Sequence, residues 1–281
     1  MQAHTQPLSP SRTQASIGEL LREWRQRRRL SQLDLAGDAD VSTRHLSYLE
    51  TGRAQPSREM VLRLAERLDV PLRERNGLLT AAGYAPLYRE RPLDDPDLEA
   101  ARNAVTLVLD GMAPFPALAV DRHWNLVAHN AAMPLLIAGA APELLKPPVN
   151  VLRLSLHPDG VAPRIVNYAQ WRAHLLMRLG QQVAISADPV LQDLLQELRA
   201  YTAPPPLANP SPHADAGAAV VPLQFASEHG LLSFFSTTTI FGTPVDITLS
   251  ELAIESFFPA DAATARTLRR LGDGQTGAPA A

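Results

Sequence analysis

Between residues 17 and 83, apolar positions return every three to four residues, and serines, prolines and glycines cut the runs at short intervals. That period belongs to helices with one buried face. Ile17, Leu20, Leu21 and Trp24 mark the first face, with Ser16 as N-cap and Glu19 three residues on to complete a capping box. Ser31 caps a second helix, expected to bury Leu33 and Ala36, and Ser42 caps a third that reaches about Glu50 and stops at Gly52. A fourth, over 58–68, is expected to bury Val61, Leu64, Ala65 and Leu68, and a fifth lies between Pro71 and Gly83. The pattern predicts a small all-α domain over residues 16–83.

The pattern then lapses. Residues 84–96 hold three prolines and mixed charge without period, which reads as a linker; residues 1–15 read as a disordered arm. Asp95-Pro96 opens a helix to about Leu109. "PALAVD" and "WNLVAHN" are two short strands in hairpin, and helical stretches are expected at 131–138, 150–156, 164–179 and 189–200. Residues 203–217, rich in proline, alanine and glycine, read as a loop. Strand-like runs follow at 219–226, 231–241 and 245–258, the first two joined by Ser227-Glu228-His229-Gly230. In the last run the apolar positions change phase near Ser250 and Glu251, which predicts a bulge or bend. A short helix from Asp261 and a disordered tail over 271–281 end the chain. Two strands, several helices and three strands predict an α+β domain over 97–270, an antiparallel five-stranded sheet with helices on one face.

Charge changes this picture more than composition does. The 281 residues carry a formal charge of −3, but residues 1–91 hold 15 arginines against 11 carboxylates, and the remainder is acidic. Such asymmetry points to one half that faces nucleic acid. Cysteine is absent, so disulfides, thiolate nucleophiles and cysteine zinc sites are excluded together. No basic segment with a following apolar core opens the chain, and no apolar stretch approaches the ~20 residues of a membrane span. A cytoplasmic location without membrane contact is expected.

With Leu46 and Leu49 turned inward, the third helix projects Arg44 and Ser47 outward, flanked by Thr43 and Tyr48, with His45 at the boundary. Residues 31–50 thus read as a helix-turn-helix whose second helix enters the major groove of a double-stranded operator. Arg53 lies past that helix, and Arg25, Arg27, Arg28 and Arg29 offer further phosphate partners. "LSQLDLAGDADVSTRHLSYLETGRAQPS" resembles the Cro and lambda-repressor (XRE) helix-turn-helix family. The resemblance implies that Gln32 contacts phosphate and that Thr43, Arg44, Ser47 and Tyr48 read bases, with Ser42 and His45 beside them. Asp40 stands where that family usually has glycine. A single helix reads few base pairs, so a homodimer on DNA is expected.

"RPLDDPDLEAARNAV", "NVLRLSLHPDG" and "FFSTTTIFGTPVDITLSELAIESFFPAD" resemble the MmyB-like regulators. That resemblance implies a PAS-like ligand-binding domain and a fatty-acid-like ligand. The domain's own residues allow Arg153 and His157, four apart, to face one anionic group, with Asn130, Trp171 and His174 as further candidates. Phe225, Phe234, Ile240 and Phe257 are candidates to wall an apolar cavity. Two other readings stay open: a ligand-free dimerisation or docking module, whose core would be filled, and a tethered enzyme. No HExxH, GxSxG or phosphate-loop motif is present, so neither catalytic residues nor a metal or cofactor are expected.

Overall fold

The computed structural model describes residues 15–205, 221–241 and 246–276, with backbone alone for 274–276. Expectations for residues 1–14, 206–217, 219–220, 245 and 277–281 lie outside the described residues. The chain divides between Arg89 and Glu90 into two compact units.

In the first unit, α1 (Ile17–Arg27), α2 (Gln32–Asp38), α3 (Thr43–Glu50), α4 (Arg58–Arg67) and α5 (Leu72–Ala81) enclose one core. Serine hydroxyls cap the first four: Ser16 and Ser31 within reciprocal capping boxes, Ser42 and Ser57 by a single bond. The pattern misplaces one side chain. Leu33 is 70% exposed, and Leu35 is the buried leucine of α2 beside Ala36. Gly18 brings α1 onto α3; a Cβ there would stand 2.5 Å from the Leu49 carbonyl oxygen. Asp40 makes the turn between α2 and α3 at φ 54°, in the left-handed region where aspartate substitutes for glycine at modest cost.

The stretch expected to be a linker is bound at both ends. The Asn76 side chain accepts from the Leu87 and Tyr88 N–H groups and donates to the Tyr88 carbonyl at 2.7 Å, which fixes residues 84–88 to the first unit. In the second unit, Arg102 donates to the Asp95 carbonyl at 2.8 Å, and the Thr248 hydroxyl donates to the Arg91 carbonyl at 2.6 Å. Prolines exclude regular structure here, and side chains satisfy the backbone instead.

The second unit runs α6 (Glu99–Gly111), β1 (Ala117–Val120), β2 (Leu126–His129), α7 (Pro134–Ile137), α8 (Val151–Leu156), α9 (Tyr168–Ser186) and α10 (Pro189–Ala200). It continues with β3 (Leu223–Ser227), β4 (Gly230–Ile240), α11 (Ile247–Ser250), β5 (Ala253–Pro259) and α12 (Ala262–Thr276). The five strands form one antiparallel sheet in the order β2-β1-β5-β4-β3. On one face Leu118, Val120, Phe225, Phe234 and their neighbours pack against residues of α8, α9 and α10. On the other, Ala117, Ala119 and Ile254 meet Val105 and Leu109 of α6, so helices cover both faces rather than one.

Three further expectations are corrected. The phase change before β5 is a helical turn, α11, capped by the Asp246 carboxylate on the Thr248 N–H, and not a bulge. The final helix continues to Thr276, past the boundary expected at 271. Its Thr264 hydroxyl accepts from the Ser233 N–H at 3.0 Å and Leu268 is buried, so β4 holds it in place. Ile240, expected in the cavity wall, is exposed at the end of β4.

Candidate functional site

Two sites emerge, one in each unit. In the first, Ser42 closes the N-terminus of α3, its oxygen accepting from the His45 N–H at 3.1 Å while its own O–H stays available. Thr43, His45, Ser47 and Tyr48 are half-buried and Arg44 is exposed. Tyr48 organises two arginines. The Arg44 Nε donates to the Tyr48 hydroxyl at 2.9 Å with its guanidinium 5.4 Å from the ring, and the Arg53 guanidinium lies 5.9 Å from the same ring. Among the described residues the terminal nitrogens of Arg44 carry no partner.

Several basic or amide groups expected to face phosphate are turned inward. Arg25 makes a two-pronged pair with buried Glu50, Nε to Oε1 at 2.6 Å and Nη2 to Oε2 at 2.8 Å, which ties α1 to α3. The Gln32 side chain donates to the Glu50 Oε2 at 2.8 Å, because a buried carboxylate needs each acceptor site satisfied. Burial pushes the Glu50 carboxyl up, but hydrogen bonds from Arg25 and Gln32 outweigh it and hold the group below its ordinary value. Arg28 donates to the carbonyls of Leu68 and Asp69, whereas Arg27 stays at the surface in a pair with exposed Glu23.

In the second unit an apolar cavity of about 80 Å³ lies between the sheet and the helices. Leu118, Met133, Leu152, Leu175, Phe225 and Phe257 are among its walls. Trp124 enters from the turn after β1, held at φ 67°, where a non-glycine residue is strained. Its Nε1 donates to Gln182 at 2.7 Å. The Trp171 Nε1 donates to the Ser155 hydroxyl at 3.1 Å, and both residues line the space. One ion pair also reaches it. Arg178 on α9 holds Glu255 at the centre of the sheet, Nη2 to Oε1 at 2.7 Å and Nη1 to Oε2 at 3.3 Å. Thr238, opposite Glu255 on β4, accepts from Arg178 at 2.9 Å and donates to Glu255 at 2.7 Å. A wider hollow of about 620 Å³ opens beside α12, walled largely by alanine, proline and leucine.

Of the five residues expected to hold ligand, only Trp171 lines the 80 Å³ cavity. Arg153 is spent on Glu197, Nε to Oε1 at 2.8 Å and Nη2 to Oε2 at 2.7 Å, and Tyr201 bonds the same carboxylate. His157 is the C-cap of α8, with ψ 139°, its Nδ1 accepting from the Asp159 N–H and its ring edge-on to Tyr201 at 5.0 Å, so it and Arg153 do face one anionic group, the protein's own Glu197. Gly160 makes that exit possible, since a Cβ there would stand 2.2 Å from the Leu154 carbonyl oxygen. Asn130 is buried and fully engaged, accepting from the Ala117 N–H and donating to the carbonyls of Leu109 and Phe115. The His174 ring lies 5.6 Å from that of Trp171, tilted by 30°; burial, then the Arg178 charge, pushes it below the ordinary histidine value. The missed residues were Trp124, Ser155, Arg178 and Glu255. Arg178 stands seven after Trp171 and four after His174 on α9, a spacing that places all three on one face.

Residues 16–78 match a helix-turn-helix domain family, and residues 101–271 match the MmyB-like transcription regulator ligand binding domain. An HTH-type transcriptional regulatory protein of Methanoculleus marisnigri is 35% identical over 124 residues, which cover 42% of this chain and 40% of that one. A solved structure of an RNA-binding light-oxygen-voltage receptor aligns with 92% of this chain and 63% of its own at 14% identity, with a TM-score of 0.25. Matched over more than half its length, the chain belongs to the MmyB-like transcription regulators, with a helix-turn-helix domain ahead of that family's ligand-binding domain.

Proposed function

We propose that α3 reads an operator through Thr43, Arg44, Ser47 and Tyr48, with Arg53 on the phosphates, and that the cavity of the second unit holds a small apolar, fatty-acid-like molecule whose presence changes DNA binding. Two chains occupy one operator, since one helix covers too few base pairs for useful specificity. The observation that carries the ligand reading is the cavity itself. A docking or dimerisation module has no use for an apolar void, whose lining loses dispersion contacts. At about 80 Å³ it is smaller than the ~150 Å³ that admits benzene, so a chain of more than a few carbons enters only as the walls move.

Leu175→Trp fills the space from α9. Calorimetry of the full chain with straight-chain amphiphiles of six to ten carbons should give affinity that rises with chain length, by up to ~0.8 kcal/mol per methylene buried. The variant should lose that binding while keeping its affinity for DNA. Undiminished binding in the variant would move the ligand out of this cavity.

A further inference from the structure

We infer that the ligand spans two spaces: its methyl end lies in the cavity between the sheet and the helices, and the rest of its chain passes α7 into the hollow beside α12, with the head group at the water. This rests on the cavity being the ligand site. The cavity alone is too small, since its 80 Å³ compares with the ~150 Å³ that admits benzene, whereas the hollow measures about 620 Å³, within the ~300–1,000 Å³ of small-molecule sites. One element separates the two. Met133, Leu136 and Ile137 line the cavity, while Ala132, Pro134 and Leu135 line the hollow. This spacing of three and four residues turns opposite sides of α7 and its lead-in to the two spaces, so the partition is a single helical turn.

That partition is the wall that yields. No side chain caps α7, and Pro134 brings no N–H to its first turn. Asn130 fixes the chain before it, and the Arg164 guanidinium donates to the Ala138 carbonyl after it, so the ends hold while the middle gives. Met133 stands in that middle, an unbranched side chain with three rotatable bonds, and its neighbours on the hollow side are Ala131 and Ala132. Charge sets the direction of the ligand. Arg178 and Glu255, the charged side chains at the cavity, are already joined to each other, so an apolar end enters there more cheaply than an ionised one. Exposed Arg269 of α12 and the Glu228-His229 turn border the hollow, where a carboxylate head keeps its water beside a cation.

Hexanoate and tetradecanoate, titrated calorimetrically into the full chain at pH 7.5, test this. Two variants fill the hollow from different sides, Ala132→Trp ahead of α7 and His229→Trp in the hairpin. In the unaltered chain tetradecanoate is expected to bind at least ~100-fold tighter than hexanoate, because the added methylenes are buried. Each variant should cost tetradecanoate at least tenfold more than it costs hexanoate. A folded variant that weakens both lengths alike, or neither, overturns the inference, and His229→Trp decides alone if Ala132→Trp does not fold. Tetradecanedioate, charged at both ends, should bind the unaltered chain at least tenfold more weakly than tetradecanoate, since one of its charges must enter the cavity; equal binding also overturns the inference. Leu175→Trp separates the failures: if it abolishes tetradecanoate binding while the hollow-filling variants spare it, the cavity stands and the second space falls. If nothing binds the unaltered chain, or binding ignores Leu175→Trp, both fall.

Discussion

Tyr48 gives two arginines different work at the scale of single residues. Arg44 projects from the first turn of α3, braced through Nε so that its terminal nitrogens reach outward as a fork. Arg53 lies beyond the C-terminus of that helix, near the same ring. A braced fork suits the two acceptors of guanine, a contact worth about 1–3 kcal/mol of discrimination, while a charge at the end of the helix suits a phosphate. Arg44→Ala should therefore relax specificity at one base position, and Arg53→Ala should weaken all sequences alike and flatten the salt dependence by about one unit of slope. Gel-shift titrations on operator and scrambled duplexes at several salt concentrations separate the two. An unchanged specificity ratio in Arg44→Ala would misplace the reading face of α3. Single residues of the candidate ligand site were less legible in the sequence. Arg153 and His157 have helical spacing, but spacing does not show that Glu197 waits 44 positions on, nor that the chain leaves the helix at His157. Glu255 carried the better signal, a charge between Ala253 and Phe257 on the alternating face of β5 that meets the helices.

At the scale of elements, capping decided what was legible. Serine hydroxyls at the starts of four helices are local chemistry, and the helix boundaries of the first unit follow from them. Tertiary packing decided the rest. Leu33 and Leu35 have equal claim to burial until α2 is placed against its neighbours, and α11 looks like strand because a single turn shows no period. The join of α1 to α3 is likewise tertiary, made by the close approach at Gly18 and by Arg25 with Glu50. Glu50→Gln leaves the Arg25 charge uncompensated in the interior, at an expected cost of about 3 kcal/mol. The same pair sets an acid limit. The folded Glu50 carboxyl lies below its ordinary value, so its contribution is complete above about pH 4.3 and drains away as pH falls through the depressed folded value. Urea melts of the full chain from pH 7 to 3, followed through the first unit, should show this loss in the native protein and a shallower one in Glu50→Gln. Parallel acid profiles would mean that the pair does not set the limit.

For the whole molecule, net charge conceals an asymmetry: an acidic chain carries its basic surplus in the half that bears the helix-turn-helix domain, and screening over ~8–10 Å would let that half act alone. Two units with separate cores and separate candidate sites would make the proposed regulation a coupling between binding equilibria. Coupling of this kind is reciprocal by thermodynamic necessity. If 1-octanol in the cavity changes operator affinity by some factor, operator must change octanol affinity by the same factor, and typical couplings run about 5- to 150-fold. The factor is expected to differ from one, to be equal in the two directions, and to vanish in Leu175→Trp. Operator titrations with and without octanol, and octanol calorimetry with and without saturating operator, supply both measurements. Stoichiometry from the same titrations should give two chains per operator. A factor of one in both directions would make the second unit a bystander to DNA binding, and unequal factors would place part of the octanol outside the cavity.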